Sequence, residues 1–156
     1  MQHLKHEHIV SYLGHDRIGE KLYIYLEHMP GGSLSKVLSQ FGPLDESLIA
    51  VYTKQLVMGL VYLHTQDPPI LHRDIKGANI LVDLDCHVKL SDFGCSKRSA
   101  ETMAHTVKGT IHWMAPEVMM QTGYHLIFYD FENQKKYFKF SIQFLFFSNV
   151  FSFLFT

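Results

Sequence analysis

Cysteine is scarce in this chain: Cys86 and Cys95 are the only two among 156 residues. Small secreted domains usually depend on several disulfide bonds, and two cysteines cannot supply such a framework. The start of the chain also lacks the basic, apolar and small-residue progression of a secretory signal. We therefore expect a protein of a reducing compartment, specifically the cytoplasm.

Net charge is also nearly absent, since 15 acidic residues almost cancel 14 basic ones. A protein that binds nucleic acid or an anionic membrane through its overall charge carries a clear basic excess. The composition gives no support for either partner, and we expect neither nucleic acid nor a membrane. The chain is long enough for one small domain with a hydrophobic core.

Histidine, in contrast, is abundant, with eleven residues, and His3, His6 and His8 lie close together in the sequence. Zinc sites normally combine histidines with paired cysteines or with an HExxH helix. Neither pattern occurs here, so zinc binding is only a minor alternative.

Residues 71–94 carry the strongest chemical signal. Two apolar runs, Ile80–Val82 and Val88–Leu90, flank a polar connection, which predicts a β-hairpin. Asn79 precedes the first run and Asp92 follows the second, so antiparallel pairing brings both to one edge. An amide oxygen and a carboxylate are ligands that Mg²⁺ accepts. We therefore predict a magnesium site formed by Asn79 and Asp92.

Asp74 and Lys76 lie just before this hairpin, on the loop that enters the same edge. A carboxylate there can orient an attacking hydroxyl or accept its proton. A lysine ammonium group can stabilise a phosphoryl group in transfer. Together with Asn79, these two residues are the candidate catalytic residues for phosphoryl transfer.

Three motifs occur here together and in order. They are His-Arg-Asp-Ile-Lys-Gly-Ala-Asn at 72–79, Asp-Phe-Gly at 92–94 and Ala-Pro-Glu at 115–117. They resemble the catalytic loop, the metal-binding triplet and the end of the activation segment of eukaryotic protein kinases. Lys76, two residues after Asp74, resembles the serine/threonine type. The phrases GGSL, HRDIKGANILVD and GTIHWMAPEV resemble MAP kinase kinase kinases.

The resemblance implies an α+β, protein-kinase-like fold, with ATP and Mg²⁺ as cofactors. Protein serine or threonine hydroxyls would be the substrates, and a MAP kinase kinase would be the protein partner. The family's glycine-rich loop, strand lysine and helix C glutamate would precede Met1. We therefore expect a truncated domain that is inactive as this fragment.

The expected domain covers residues 1–124. Residues 1–29 would be the small-lobe remnant, with the end of helix C, the last two strands and the hinge. Residues 30–124 would be the part of the large lobe that runs through the Ala-Pro-Glu motif. Residues 125–156 do not resemble the family.

Apolar and β-branched runs predict two strands, at 9–13 and 21–26, around a turn-like stretch at 15–20. Three- and four-residue spacing predicts a short helix at 33–40 and a long helix at 46–64, with Asp45 as its N-cap. The long helix would support the catalytic loop.

The segment after the second strand resembles the kinase hinge, where backbone groups of Glu27 and Met29 would contact adenine. From the residues alone, without the family resemblance, a strand-to-helix connector is the preferred interpretation. The candidate ATP-binding residues are Leu26, Glu27, Met29, Ser33, Leu81 and Asp92.

Residues 92–117 resemble an activation segment. The guanidinium of Arg73, beside Asp74, would pair with a phosphate on this segment and order it. Thr110 would lie on the substrate side of the site. The alternative is a solvated loop whose hydroxyls are never modified. The candidate regulatory residues are Arg73, Ser99, Thr102, Thr106 and Thr110.

Ten of the twelve phenylalanines lie after Ile127, which marks a sharp change in composition. Residues 140–155 approach the length of a membrane span, but polar residues interrupt them. The favoured interpretation is a translated noncoding segment, and a membrane tail anchor is the alternative. The alternative function is a non-catalytic interaction module derived from a kinase.

Overall fold

The computed structural model describes residues 3–93, 96–98, 103–104 and 124–125. In chain order the described elements are β1 Tyr12–Ile18, β2 Lys21–Leu26, β3 Gly32–Ser33, α1 Leu34–Phe41, α2 Glu46–His64, β4 Ile70–Leu71, a 3₁₀ helix Gly77–Asn79, β5 Ile80–Val82, β6 Val88–Leu90, β7 Lys97–Arg98, β8 Met103–Ala104 and β9 Tyr124–His125. Helices and antiparallel strand pairs occupy separate stretches, in agreement with the α+β class.

β1 and β2 form an antiparallel hairpin with a two-residue turn at Gly19 and Glu20. The pairing of Ile18 with Lys21 closes the turn. Gly19 has a φ of 61°, a left-handed conformation that glycine adopts without steric cost. The hairpin is exposed on both faces, because Leu22, Tyr23, Ile24 and Tyr25 all retain a large exposed fraction.

The boundaries predicted for the first strand are wrong. Residues 15–18, predicted as a turn, continue the ladder of β1. Ile9, predicted in the same strand, instead forms a parallel bridge with Leu90. The local apolar pattern does not distinguish these pairings, because Ile9 has a partner far away in the sequence. A helix end expected near the start is not found at residues 3–8, where the described chain forms turns.

The sheet that leads to the site has the strand order β3-β5-β6 and is antiparallel. Ile80 pairs with Leu90 and Val82 with Val88, which confirms the predicted hairpin. The segment before β1 joins the edge of β6, where the Val10 amide donates to the Leu90 carbonyl at 2.9 Å.

α1 begins directly after β3 and has well-defined ends. The Ser33 hydroxyl accepts the Lys36 amide at 3.3 Å, as an N-cap does. At the other end the Gly42 amide donates to the Leu38 carbonyl at 2.9 Å. The predicted helix at 33–40 is therefore confirmed to within one residue at each end.

α2 spans Glu46–His64, as predicted, and packs against β6. Asp45 occupies the N-cap position, as predicted, although its side chain makes no capping hydrogen bond. Ile49, Tyr52, Leu56 and Leu63 are buried on its inner face. The buried core comprises Leu4, Ile9, Leu34, Tyr52, Leu56, Leu63, Ile70, Ile80, Val82, Val88, Leu90 and Phe93.

Two further strand pairs are short. β4 pairs with β7 and β8 with β9, each over two residues. Ser99, Thr102, Thr106, Thr110, the Ala-Pro-Glu motif and the tail from residue 126 lie outside the described residues. No helix in the described part of the chain is long and apolar enough to cross a membrane.

Candidate active site

The loop between β4 and the 3₁₀ helix fixes the carboxylate of Asp74. Asp74 is 8% exposed, so its charge needs partners. The Lys76 ammonium lies 2.9 Å from Asp74 Oδ2, and the Asn79 amide nitrogen donates to the same oxygen at 2.9 Å. The structure therefore brings together all three residues that the sequence analysis named as catalytic candidates.

The side chain of Asn79 donates to both the carboxylate and the backbone carbonyl of Asp74. Its amide nitrogen also donates to the Asp74 carbonyl at 2.8 Å. These two hydrogen bonds assign the nitrogen of the Asn79 side chain to Asp74, which leaves the amide oxygen as the atom that can ligate a cation. A neutral amide oxygen and a carboxylate form a hard oxygen donor set, so Asn79 and Asp92 fit Mg²⁺.

The β5–β6 register places Asn79 and Asp92 at the same end of the hairpin. The Asn79 carbonyl accepts the Ser91 amide at 2.8 Å and the Ser91 hydroxyl at 3.0 Å. Asp92 follows directly and is exposed to solvent. One predicted metal ligand, Asn79, is thus buried in the loop, and the other, Asp92, is exposed at the strand end beside it.

His72 joins the catalytic loop to the strand that leads to Asp92. Its Nε2 donates to the Ser91 carbonyl at 2.8 Å, and its Nδ1 accepts the Asp74 amide at 3.3 Å. Together the two contacts require the neutral ring with the proton on Nε2. Burial lowers the pKa of His72, which favours the same form, and its ring lies 5.0 Å from that of Phe93.

Two residues of the site have left-handed backbone conformations. Arg73 has a φ of 67° and Asp92 a φ of 58°. Such conformations cost a residue with a side chain about 1–3 kcal/mol and concentrate at functional sites. The strain lies immediately beside Asp74 and at the predicted metal ligand, and no local sequence pattern signals it.

The predicted hinge follows β2 and is partly ordered by its own hydrogen bonds. The Glu27 amide donates to the Ser11 carbonyl at 2.9 Å, and the Met29 carbonyl accepts the Gly32 amide at 3.1 Å. Leu26 is 41% exposed, whereas Leu81 is partly buried. The structure gives the Ser33 hydroxyl a capping role in α1, beside the nucleotide contact predicted for it.

The sequence analysis missed Lys89. Its ammonium group donates to Glu27 Oε1 at 2.5 Å, so it links β6 to the hinge. The available signal was a single lysine at the centre of an apolar strand, where a charge needs a partner. The sequence could not identify that partner, because 62 residues separate the two side chains.

His6 and His8, near the start of the chain, contact other protein groups. His6 stacks on Tyr62 and its Nδ1 accepts the His8 amide, while His8 Nδ1 contacts the Val88 carbonyl at 3.1 Å. Asp83, Asp85 and His87 lie close together in the β5–β6 turn. There Asp83 already accepts the amides of the other two.

The known proteins to which this chain is similar are named as kinases, the type of enzyme that this geometry indicates. Residues 1–129 match the family model described as the protein kinase domain. The chain is 53% identical to mitogen-activated protein kinase kinase kinase ANP1 of Arabidopsis thaliana over 80% of this chain and 19% of that protein. It is 50% identical to mitogen-activated protein kinase kinase kinase A of Dictyostelium discoideum over 80% of this chain and 13% of that protein.

A third relative is the serine/threonine-protein kinase STE11 of Saccharomyces cerevisiae, 45% identical over 79% of this chain and 18% of that protein. The chain belongs to the protein kinase family. Two of these relatives are named as mitogen-activated protein kinase kinase kinases, the type that the sequence motifs resemble, so the resemblance is confirmed. The chain spans less than a fifth of the length of these three relatives. Protein kinases in general use ATP and Mg²⁺.

Proposed function

We propose that this chain provides the phosphoryl-transfer site of an ATP-dependent serine/threonine protein kinase of the MAP kinase kinase kinase type. The observation that carries the proposal is the buried Asp74 carboxylate, held at 2.9 Å by both Lys76 and Asn79. A carboxylate fixed in this way beside a flexible cation is suited to orient a hydroxyl for attack on phosphorus.

The roles of the three residues follow from their contacts. Asp74 orients the substrate hydroxyl and accepts its proton, and the hydrogen bonds from Asn79 fix the plane of its carboxylate. Lys76 lies 2.9 Å from Asp74 and is only partly buried, so its ammonium group can also reach a phosphoryl oxygen. Electrostatic stabilisation by such a cation acts on charge that develops in the transition state.

We further propose that Asn79 and Asp92 hold the metal. A bound Mg²⁺ would neutralise charge on the phosphate oxygens and set their orientation. His72 holds the strand end before Asp92 through the Ser91 carbonyl, so it positions this ligand relative to Asp74. The adenine would lie against Leu81 and contact the backbone of Glu27 and Met29.

The protein substrate that we propose is a MAP kinase kinase, because the similar proteins are named as kinases of that enzyme class. The cytoplasm is the proposed location, in keeping with the exposed, unpaired thiol of Cys86. We also propose that phosphorylation of Thr102, Thr106 or Ser99 is read by Arg73. Phosphopeptide mapping of active enzyme would refute this regulatory role if all three hydroxyls were unmodified.

The decisive experiment measures nucleotide binding and phosphoryl transfer by the full 156-residue chain. We expect Mg²⁺ to strengthen ATP binding in the wild type, and Asp92→Asn to abolish this strengthening while adenosine still binds. Where transfer to a generic protein substrate is measurable, Asp74→Asn should lower its rate by about 10²–10⁴-fold, the usual contribution of general acid–base catalysis.

The control is Asp85→Asn, an exposed carboxylate in the β5–β6 turn at the other end of the hairpin. Asp85→Asn should leave the strengthening of ATP binding by Mg²⁺ and the rate of phosphoryl transfer at the wild-type level. ATP binding that is indifferent to Mg²⁺ in the wild type would contradict the proposed metal site. Transfer that survives Asp74→Asn would contradict the proposed role of Asp74. A chain that binds no nucleotide would favour the non-catalytic interaction module instead.

A further inference from the structure

Lys89 lies at the centre of β6, on the face of the sheet opposite to that of Val88 and Leu90. Its neighbours Val88 and Leu90 are fully buried, and successive side chains on a strand point to opposite faces. Lys89 pairs directly with Leu81 on β5, and residues directly opposite in an antiparallel pair share one face. Lys89 therefore lies beside the residue assigned to the floor of the adenine site.

The Glu27 carboxylate connects this lysine to the segment before β1. Glu27 Oε1 accepts the Lys89 ammonium at 2.5 Å, and Glu27 Oε2 accepts the Ser11 amide at 3.1 Å. The Glu27 amide in turn donates to the Ser11 carbonyl at 2.9 Å. Three hydrogen bonds thus converge on the first residue of the hinge and fix both its backbone and its side chain.

The two charges are sheltered from water, since the side chain of Lys89 is 15% exposed and that of Glu27 is 29% exposed. Burial by itself would raise the pKa of Glu27, but the hydrogen bonds from Lys89 and Ser11 outweigh it and lower that pKa. The carboxylate is therefore charged at neutral pH. A partly buried pair of this kind is less screened than a surface pair.

We infer that the Glu27–Lys89 ion pair positions the hinge backbone relative to Leu81 and to the strand that ends at Asp92. It couples the adenine end of the nucleotide site to the metal end. This inference rests on the proposed function, and Glu27 and Lys89 are positioning residues because neither side chain needs to touch the nucleotide. Losing the pair releases the hinge from β6, so the adenine moiety should bind less tightly.

The experiment compares Lys89→Met with Lys89→Arg in the full chain. Methionine keeps most of the length of lysine and removes the charge, whereas arginine keeps the charge. Calorimetric titration with adenosine, and with ATP in the presence of Mg²⁺, gives the two dissociation constants. We expect Lys89→Met to raise both by a similar factor, roughly three- to tenfold as is usual for loss of a coupled pair, and Lys89→Arg to restore most of the affinity.

Two comparisons separate positioning from general destabilisation. Lys54→Met removes an exposed lysine from α2 and should leave both dissociation constants unchanged. The double variant Glu27→Gln, Lys89→Met should bind adenosine no worse than Lys89→Met alone, because the same pair is already lost. Additive losses in the double variant would show that the residues act independently and would overturn the inference.

The outcomes also distinguish this inference from the proposed function. If Lys89→Met binds adenosine as tightly as Lys54→Met does, and the wild type binds ATP, then the positioning role of the ion pair is overturned and the proposed function stands. A loss confined to ATP with Mg²⁺, with adenosine unaffected, overturns it as well, because the effect would then lie at the metal end. A wild type that binds neither ligand overturns the proposed function and this role with it.

Discussion

β1–β2 and β5–β6, two hairpins in the described part of the chain, differ in how far they are buried. β1–β2 is the longer, yet Leu22 and Ile24 are 60% and 56% exposed. In β5–β6, only three residues on each strand, Ile80, Val88 and Leu90 are all 0% exposed. Both hairpins have strand-forming residues, so intrinsic propensity does not separate them. Burial separates them, because β5–β6 lies against α2 and the segment before β1.

This difference has a functional consequence. The catalytic loop and Asp92 connect directly to the ends of β5 and β6, so they take their positions from the buried core. The hinge connects to β2, which has little cover in the described part of the chain, and it is held by the polar contacts of Glu27 and by the hydrogen bond from the Gly32 amide to the Met29 carbonyl. The proposed metal end of the site therefore depends on packing, and the proposed adenine end depends on a few polar contacts.

The largest expected effect is the loss of folding stability when one leucine is replaced by alanine, and the same substitution in each hairpin tests the contrast between them. Leu90→Ala should lower the free energy of unfolding by about 2–5 kcal/mol, through lost burial and the cavity left behind. Leu22→Ala, on the exposed hairpin, should change it by no more than about 0.5 kcal/mol. Urea denaturation followed by circular dichroism gives both values.

Equal losses in the two variants would mean that β1–β2 is buried by a part of the chain that the described residues do not include. The two hairpins would then not differ in burial, while Leu90 would remain a core residue.

A smaller effect is expected at Gly59, where α2 meets the segment that joins β6. A Cβ at this position would lie 2.9 Å from the His8 carbonyl oxygen, a backbone atom that cannot rotate away. Gly59→Ala should destabilise the chain by about 1–3 kcal/mol, although alanine favours helix by about 1 kcal/mol. Thermal unfolding measures the net change.

Gly14 in β1 offers the matched control. A Cβ there would lie 3.8 Å from the Tyr25 ring, an ordinary contact. Gly14→Ala should therefore be nearly neutral, within about 0.5 kcal/mol. A stabilised Gly59→Ala variant would refute the close packing of α2 on His8.

The smallest expected effect concerns pH and the buried end of the site. Burial lowers the pKa of His72 in the folded chain, whereas in the unfolded chain the ring titrates near its ordinary value of 6.5. As the pH falls below that value, the unfolded chain takes up a proton that the folded chain does not, so stability decreases. His6, whose pKa burial also lowers, contributes in the same direction.

His72→Gln can retain a donor to the Ser91 carbonyl and does not titrate. Its stability should fall less steeply than that of the wild type between about pH 7 and 5, since each linked proton contributes up to ~1.4 kcal/mol per pH unit. Identical slopes in the two proteins would show that the pKa of His72 is the same in the folded and the unfolded chain.

The sequence predicted those parts of the fold whose signals are local. The β5–β6 hairpin and α2 follow from periodicity over a few residues, and the structure confirms their bounds. The start of β1 was predicted wrongly because Ile9 pairs with Leu90, a contact that no local pattern contains. The family motifs placed Asp74, Lys76, Asn79 and Asp92 together, and their catalytic roles stay predictions.

Other parts of the site could not be predicted for physical reasons. The ion pair between Glu27 and Lys89 depends on how distant strands meet. The left-handed backbone at Arg73 and Asp92 is imposed by surrounding contacts against the preference of the residues themselves. Both features appear only once the tertiary structure is formed.

The contacts between the start of the chain and β6 also have a consequence for the order of folding. His8 and Val88 are 80 residues apart in the sequence, whereas a β-hairpin such as β5–β6 closes locally, within about 1–10 μs. Joining residues so far apart requires a long loop to close before the contact is rewarded. We expect the segment with His8 to dock late, onto a β6 that is already paired. The hinge can therefore assume its final position only in the last stage of folding.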